Sequence, residues 1–238
     1  MIDFRKMIHP LVVPLTKSRV PHQLILHNPY HVDNHQPVIY AVNHSNSNDI
    51  PISCRAVQRH CWVLIGKQRL FISDRLFFFL NGAIWVDRKD KQDMQLAKDR
   101  IQEHLLAGKS LIWFPEGTWN LTDHLLMLPM KWGIINIAQK CQVPIIPIVL
   151  EYDSLQKQCA VHFGEPFIAD DFSLQDGITA LRDKMAALRW EAWEHKGVFS
   201  RQELNLEMER TKLYQAVTDY PPLDWDYEQS IIFDPLKT

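Results

Sequence analysis

The segment Asn43-His44-Ser45-Asn46-Ser47-Asn48-Asp49 and the later run Phe114-Pro115-Glu116-Gly117-Thr118 put a base, two carboxylates and a bendable backbone into one chain. An imidazole takes up a proton near neutral pH. A carboxylate such as Asp49 can hold it in one tautomer and steady the imidazolium once it forms. This combination suits acyl transfer, in which a hydroxyl loses its proton as it attacks an acyl carbon. With 11 histidines present, a single His-x4-Asp match carries little weight. The weight falls on the ordered set of motifs around it.

These residues need elements to hold them in register. Val38–Val42 is a short apolar run bounded by Gln36-Pro37 and polar Asn43, the pattern of a strand buried on both faces, and His44 follows its carboxyl end. Cys61–Ile65, Ala83–Val86 and Ser110–Phe114 read as further strands. The last is entered from Gly108 after a helix with Met94, Ala97, Ile101 and Leu105 inward, and Glu116 leaves its carboxyl end. Lys131–Lys140 reads as a helix and Val143–Leu150 as a strand whose prolines sit at its start or at an irregularity. Ile178, Leu181, Met185, Leu188 and Ala192 keep helical spacing, and Ser200–Val217 reads as another helix. The alternation predicts a single-domain α/β fold, with a mostly parallel central sheet flanked by helices on both faces. Ligand sites then collect beyond the carboxyl ends of the strands, where both polar motifs fall.

The chain of 238 residues, 46% hydrophobic and 23% charged, is long enough to bury a sizeable core. A net charge of -2 argues against a general nucleic-acid binder, so no nucleic acid is expected as a partner. Charge is uneven. Arg5, Lys6, Lys17 and Arg19 stand against Asp3 alone in residues 1–30, whereas eight acidic residues face four basic ones from Gly197 onward. Cys54, Cys61, Cys141 and Cys159 form no Cys-x2-Cys pair and no secretory signal opens the chain, which predicts reduced thiols and a cytoplasmic location. No metal site is expected. An uninterrupted apolar stretch of ~18 residues is absent, so membrane contact is expected to be peripheral. Three regions are anticipated: 1–30 as an amphipathic membrane-contact segment, 31–196 as the α/β domain, and 197–238 as a helix and irregular tail packing on it.

Four blocks occur in order: Asn43 to Asp49, Gly82-Ala83-Ile84-Trp85-Val86-Asp87-Arg88, Phe114 to Thr118, and Val143-Pro144-Ile145-Ile146-Pro147, with Pro129-Met130-Lys131-Trp132-Gly133 between the last two. Over roughly residues 35–165 the chain thereby resembles the lysophospholipid and 1-acylglycerol-3-phosphate acyltransferase family of the glycerol-phosphate acyltransferase superfamily. The resemblance implies a membrane-associated O-acyltransferase on the cytoplasmic face of the membrane. It would move a fatty acyl group from acyl-CoA or an acyl carrier protein thioester to a lysophospholipid or glycerol-phosphate-type hydroxyl, needing no cofactor beyond the thioester. His44 would be the general base and Asp49 its orienting partner. Arg88 would bind an acceptor phosphate, and Lys67 resembles a family lysine between the first two blocks. Glu116 would hydrogen-bond acceptor hydroxyls, Gly117 would let the backbone turn beside the substrate, and Thr118 would add a polar contact.

One departure bears on the acceptor. The family continues Gly-Thr-Arg-Ser, whereas this chain has Gly117-Thr118-Trp119-Asn120, so a phosphate-binding cation is replaced by an apolar face. Asp49 could equally cap a helix opening at Pro51, and backbone N–H groups after His44 could hold an oxyanion. A thioesterase or lipase using the same site is the first alternative, although Ser45 and Ser47 lack a Gly-x-Ser-x-Gly elbow. A lipid-binding module without activity is the second. For membrane contact, residues 1–20 mix Phe4, Met7, Ile8 and Leu11 with Arg5, Lys6 and Lys17, and Pro10 and Pro14 are expected to break a long helix. Phe77-Phe78-Phe79-Leu80 is read as buried core first and as a membrane contact second.

Overall fold

The computed structural model describes residues 4–20, 22–29, 36–67, 70–120, 125–153 and 156–196, together with 207 and 211. Apolar runs too short for helices make the strands, and each connection carries a helix back over the sheet. The strands are β1 (Gln23–His27), β2 (Ile39–Val42), β3 (Cys61–Gly66), β4 (Ala83–Val86), β5 (Ser110–Trp113), β6 (Ile145–Asp153) and β7 (Gln158–Phe163). They form one sheet in the order β1-β7-β6-β2-β5-β3-β4. Every pairing is parallel except β6 with β7. Consequently β6, β2, β5, β3 and β4 all end at the same edge. The sequence predicts β2 to β6 to within one or two residues at most ends. It does not predict β1 and β7.

Alternating side chains feed two cores, as strand geometry requires. Tyr40 and Val42 point into the cluster that takes in Ile52, Cys54 and Ala56 of α2 (Asp49–Ala56) and Phe78 of α3 (Ile72–Asn81). Ile39 and Ala41 point the other way. There they meet Ala97, Ile101 and Leu105 of α4 (Lys91–Leu106), Ile134 to Ala138 of α5 (Gly133–Cys141), and Ile178, Leu181 and Met185 of α6 (Leu174–Lys196). The anticipated helix-covered α/β sheet is what the chain forms. The inward residues expected of α4 and α6 are buried or half-buried.

Three expectations change. First, α1 runs unbroken from Phe4 to Arg19 through both Pro10 and Pro14. Two prolines four residues apart remove hydrogen bonds on the same side of the helix, and both residues are exposed on that side. Second, the Phe77–Phe79 run is split by α3: Phe78 is buried, while Phe79 is 69% exposed. Third, Pro147 lies within β6. It sits one residue before the β7 pairing begins at Ile148↔Phe163, where a missing N–H leaves no ladder bond unmade. The tail anticipated for 197–238 lies outside the described residues apart from Glu207 and Thr211, both helical, with the Thr211 hydroxyl donating to the Glu207 carbonyl at 2.8 Å.

Candidate active site

Five strands end at one edge; the loops leaving four of them carry His44 after β2, Lys67 after β3, Arg88 after β4 and Glu116 after β5, and Tyr152 lies within β6 near its end. The β2 loop turns directly into α2, whose first residue is Asp49. His44 Nδ1 lies 2.8 Å from Asp49 Oδ2. Asp49 is fully buried, whereas the imidazole keeps 18% of its side chain exposed. With Nδ1–H donating to the carboxylate, the ring's lone pair sits on Nε2, the tautomer a general base requires.

Asp49 is tied on all sides. Its Oδ2 also accepts from the backbone N–H groups of Ser45 (2.7 Å) and Asn46 (2.8 Å), and its Oδ1 accepts from the Tyr152 hydroxyl at 2.5 Å. The anticipated oxyanion role for the N–H groups after His44 is therefore corrected. Those of Ser45 and Asn46 are spent on Asp49, and that of Asn48 donates to Asn46 Oδ1. The carboxylate does not cap α2, whose N-cap is Asn48 with no side-chain cap bond, so the helix-capping alternative for Asp49 is corrected: its bonds hold the imidazole and the loop before the helix.

Glu116 occupies a different position from the one expected of a group facing an acceptor. It is fully buried, Oε1 accepting from the His44 N–H at 3.0 Å and Oε2 from the Leu128 N–H at 2.7 Å. Burial pushes its pKa up to about 7 against the pull of those two donors. In this geometry Glu116 is a strut between His44 and the chain at Leu128. The His44 carbonyl in turn accepts from the Asn120 N–H at 2.6 Å. Both backbone polar groups of His44 are thus held by the loop that follows β5.

Gly117 adopts φ +73, the left-handed turn that favours glycine. Its carbonyl accepts from Arg88 Nη1, so the second and third blocks meet. Thr118 is buried beside it. Lys67 has a partner on α4: its Nζ lies 2.7 Å from Asp93 Oδ1, while Asp93 Oδ2 accepts from the Asp87 N–H at 2.6 Å. That pair draws the Asp93 carboxyl below its usual range. Trp119 is buried edge-on to the imidazole, with ring centroids 5.5 Å apart, and Phe114 lies 4.5 Å from it at a tilt. The imidazole sits in an aromatic enclosure.

Two residues that tie the site together are given no role of their own in the sequence reading. Asn43 donates from Nδ2 to the Leu150 carbonyl at 3.2 Å and accepts the Leu150 N–H on Oδ1 at 2.7 Å, clamping the end of β2 to β6. The signal for it is a buried amide closing an apolar strand. Tyr152 has no comparable local signal, since it lies 103 residues from Asp49. Among the described residues, no group of three or more His, Cys, Asp or Glu side chains is arranged to hold a metal ion. All four cysteines are free, and burial pushes the Cys61 thiol up to about 12.

Residues 23–151 match the model of the Acyltransferase family. The chain is 31% identical over 121 residues to the 1-acyl-sn-glycerol-3-phosphate acyltransferase of Saccharomyces cerevisiae, a stretch covering 50% of this chain and 40% of that protein. It is 29% identical over 168 residues to the human 1-acyl-sn-glycerol-3-phosphate acyltransferase alpha, covering 66% of this chain and 58% of the other. The chain thus spans less than two thirds of the length of these relatives. In three dimensions it resembles the crystal structure of the 1-acyl-sn-glycerophosphate acyltransferase PlsC of Thermotoga maritima, with a TM-score of 0.65 and 18% identity over 83% of each chain. That likeness establishes the shared fold.

Proposed function

The chain belongs to the Acyltransferase family, and from that premise we propose that it transfers a fatty acyl group from an acyl thioester, carried by coenzyme A or an acyl carrier protein, to the hydroxyl of a lysophospholipid or glycerol-phosphate-type acceptor. The observation that carries this reading is the His44 Nδ1 to Asp49 Oδ2 hydrogen bond of 2.8 Å at the carboxyl edge of the sheet, with the imidazole partly open to solvent. Nε2 takes the proton of the acceptor hydroxyl as its oxygen attacks the thioester carbonyl carbon. The tetrahedral intermediate then collapses, the C–S bond breaks, and the imidazolium returns its proton to the departing thiolate. Asp49 steadies the imidazolium between these steps. Assistance of this kind is worth about 100- to 10,000-fold.

Arg88, anchored on the Gly117 carbonyl beside the base, supplies donors for an acceptor phosphate. Lys67, itself half exposed, contributes by exchanging its Asp93 partner for the same anion, since an ion pair open to water is worth little. Gly117 and Thr118 line the approach, and Glu116 fixes the base from behind. Trp119 presents hydrocarbon where the family pattern carries a cation, which favours acceptors whose headgroup charge is met by Arg88 and Lys67 without a third cation. The reading includes peripheral membrane contact. Phe4, Met7 and Leu11 of α1 and Phe71, Ile72, Leu76 and Phe79 at α3 are exposed apolar side chains on two helices that pack together, with Arg5, Lys6 and Arg75 among them. No helix among the described residues is long and apolar enough to cross a membrane.

The test is to incubate the purified protein with acyl-CoA or acyl carrier protein thioesters and mixed lysolipids, and to identify products by mass spectrometry. Acylated lipid is expected, falling at least about 100-fold in His44→Ala. Release of free fatty acid without lipid product would make the protein a hydrolase. Equal turnover in His44→Ala would remove the base.

A further inference from the structure

The last turn of β6 has no role in the mechanism so far, yet it reaches the reacting pair. Tyr152 Oη donates to Asp49 Oδ1 at 2.5 Å, on the carboxylate oxygen that His44 does not use. Burial first, and the Asp49 charge second, push the phenol well above its ordinary range, so it remains a donor at any working pH. The strand end carrying it is fixed from both sides. Asn43 clamps Leu150 two residues earlier, and Lys196 at the end of α6 donates to the Tyr152 carbonyl at 2.6 Å while holding Glu151 at 2.8 Å. The Tyr152 ring is braced edge-on by His22, with centroids 5.6 Å apart.

We propose that Tyr152 is a positioning residue of the transfer reaction, setting the rotation of the Asp49 carboxylate so that Oδ2 stays on His44 Nδ1. A carboxylate turns about its last side-chain bond over a broad, two-fold profile. The N–H groups of Ser45 and Asn46 pin only Oδ2, and the hydroxyl of Tyr152 fixes the other oxygen. Tyr152 touches neither substrate nor the reacting atoms, and acts through Asp49 alone.

This rests on the acyl-transfer reading, and the test separates the two. Tyr152→Phe, Asp49→Asn and the double variant are assayed for acylated lipid beside His44→Ala, each with a melting curve. Tyr152→Phe is expected to lower kcat about tenfold with KM for both substrates unchanged. In the Asp49→Asn background the same change should cost nothing further, because a residue acting through Asp49 has nothing left to position. Additive losses, or an undiminished kcat in Tyr152→Phe while His44→Ala is dead, would overturn the assignment and leave the transfer reading standing. Full activity in His44→Ala would overturn the reading itself. Should Tyr152→Phe melt too low to assay, 4-aminophenylalanine and 4-methylphenylalanine at position 152, which match the phenol in shape with and without a para donor, replace it in the same cycle. A higher kcat with the amino than with the methyl side chain is the expected result, and equal kcat counts against the proposal.

Discussion

The Glu116 carboxyl, without solvent contact, sits behind His44, and its proton is a quantity that can be read. Unfolded, Glu116 titrates near 4.5; folded, it holds its proton up to about 7 because burial outweighs the two N–H donors. Below 4.5 both states are protonated and the difference vanishes. As pH rises toward 7 the unfolded state ionises first, so the folded state loses up to about 3 kcal/mol from this group. Denaturation midpoints should therefore fall between pH 5 and pH 8 in the native sequence, with the Glu116 share missing in Glu116→Gln. That variant starts lower throughout, since its amide turns a donor toward one of the two N–H groups. An unaltered slope would show that the proton is held elsewhere. The residues that the fold brings together at the candidate site were legible by type, because His44, Asp49, Arg88 and Glu116 stand in motifs. Their partners were not: Leu128 and Tyr152 meet the motifs only through the fold, and no spacing along the chain announces a contact made across it.

Elements were legible where side-chain periodicity is strong. Ile178, Leu181, Met185, Leu188 and Ala192 repeat at helical intervals and are buried in α6, and β2 reads as a continuous apolar run because both its faces are covered. β1 and β7 escaped because their apolar residues are diluted by Gln23, His27, Gln158 and His162. α3 escaped because consecutive phenylalanines carry no period. The helix α1 escaped through its prolines, since a proline within a helix ordinarily costs about 3 kcal/mol. Arg5 Nε donates to the Phe79 carbonyl at 3.2 Å, so α1 and α3 present their exposed apolar side chains as one surface. Leu11→Glu with Leu76→Glu should reduce sedimentation with anionic phospholipid vesicles at least about tenfold, while both outward-facing sites leave the melting temperature in place. Equal sedimentation would exclude this face as the bilayer contact.

The whole molecule divides its work by region. Motif residues gather along one sheet edge, while the two helix layers supply the burial that keeps the edge still. A defect deep in a layer should therefore cost stability without touching chemistry. Gly177 of α6 offers the case: a Cβ there would lie 2.9 Å from Ile135 Cγ2 and 3.2 Å from Phe172 Cβ, and Ile135 is fully buried and has nowhere to go. Gly177→Val should lower folding stability by about 2–3 kcal/mol, outweighing any helix preference gained. Turnover per folded molecule should stay the same, and a changed KM would show that the layers are not independent of the edge. The backbone bonds of His44 carry one further implication, for anyone recombining this family. Its N–H goes to Glu116 and its carbonyl receives Asn120, so the stretches around positions 44 and 114–120 behave as two halves of a mortise joint. A chimaera that imports either half from a homologue without the other inherits a joint cut to the wrong measure.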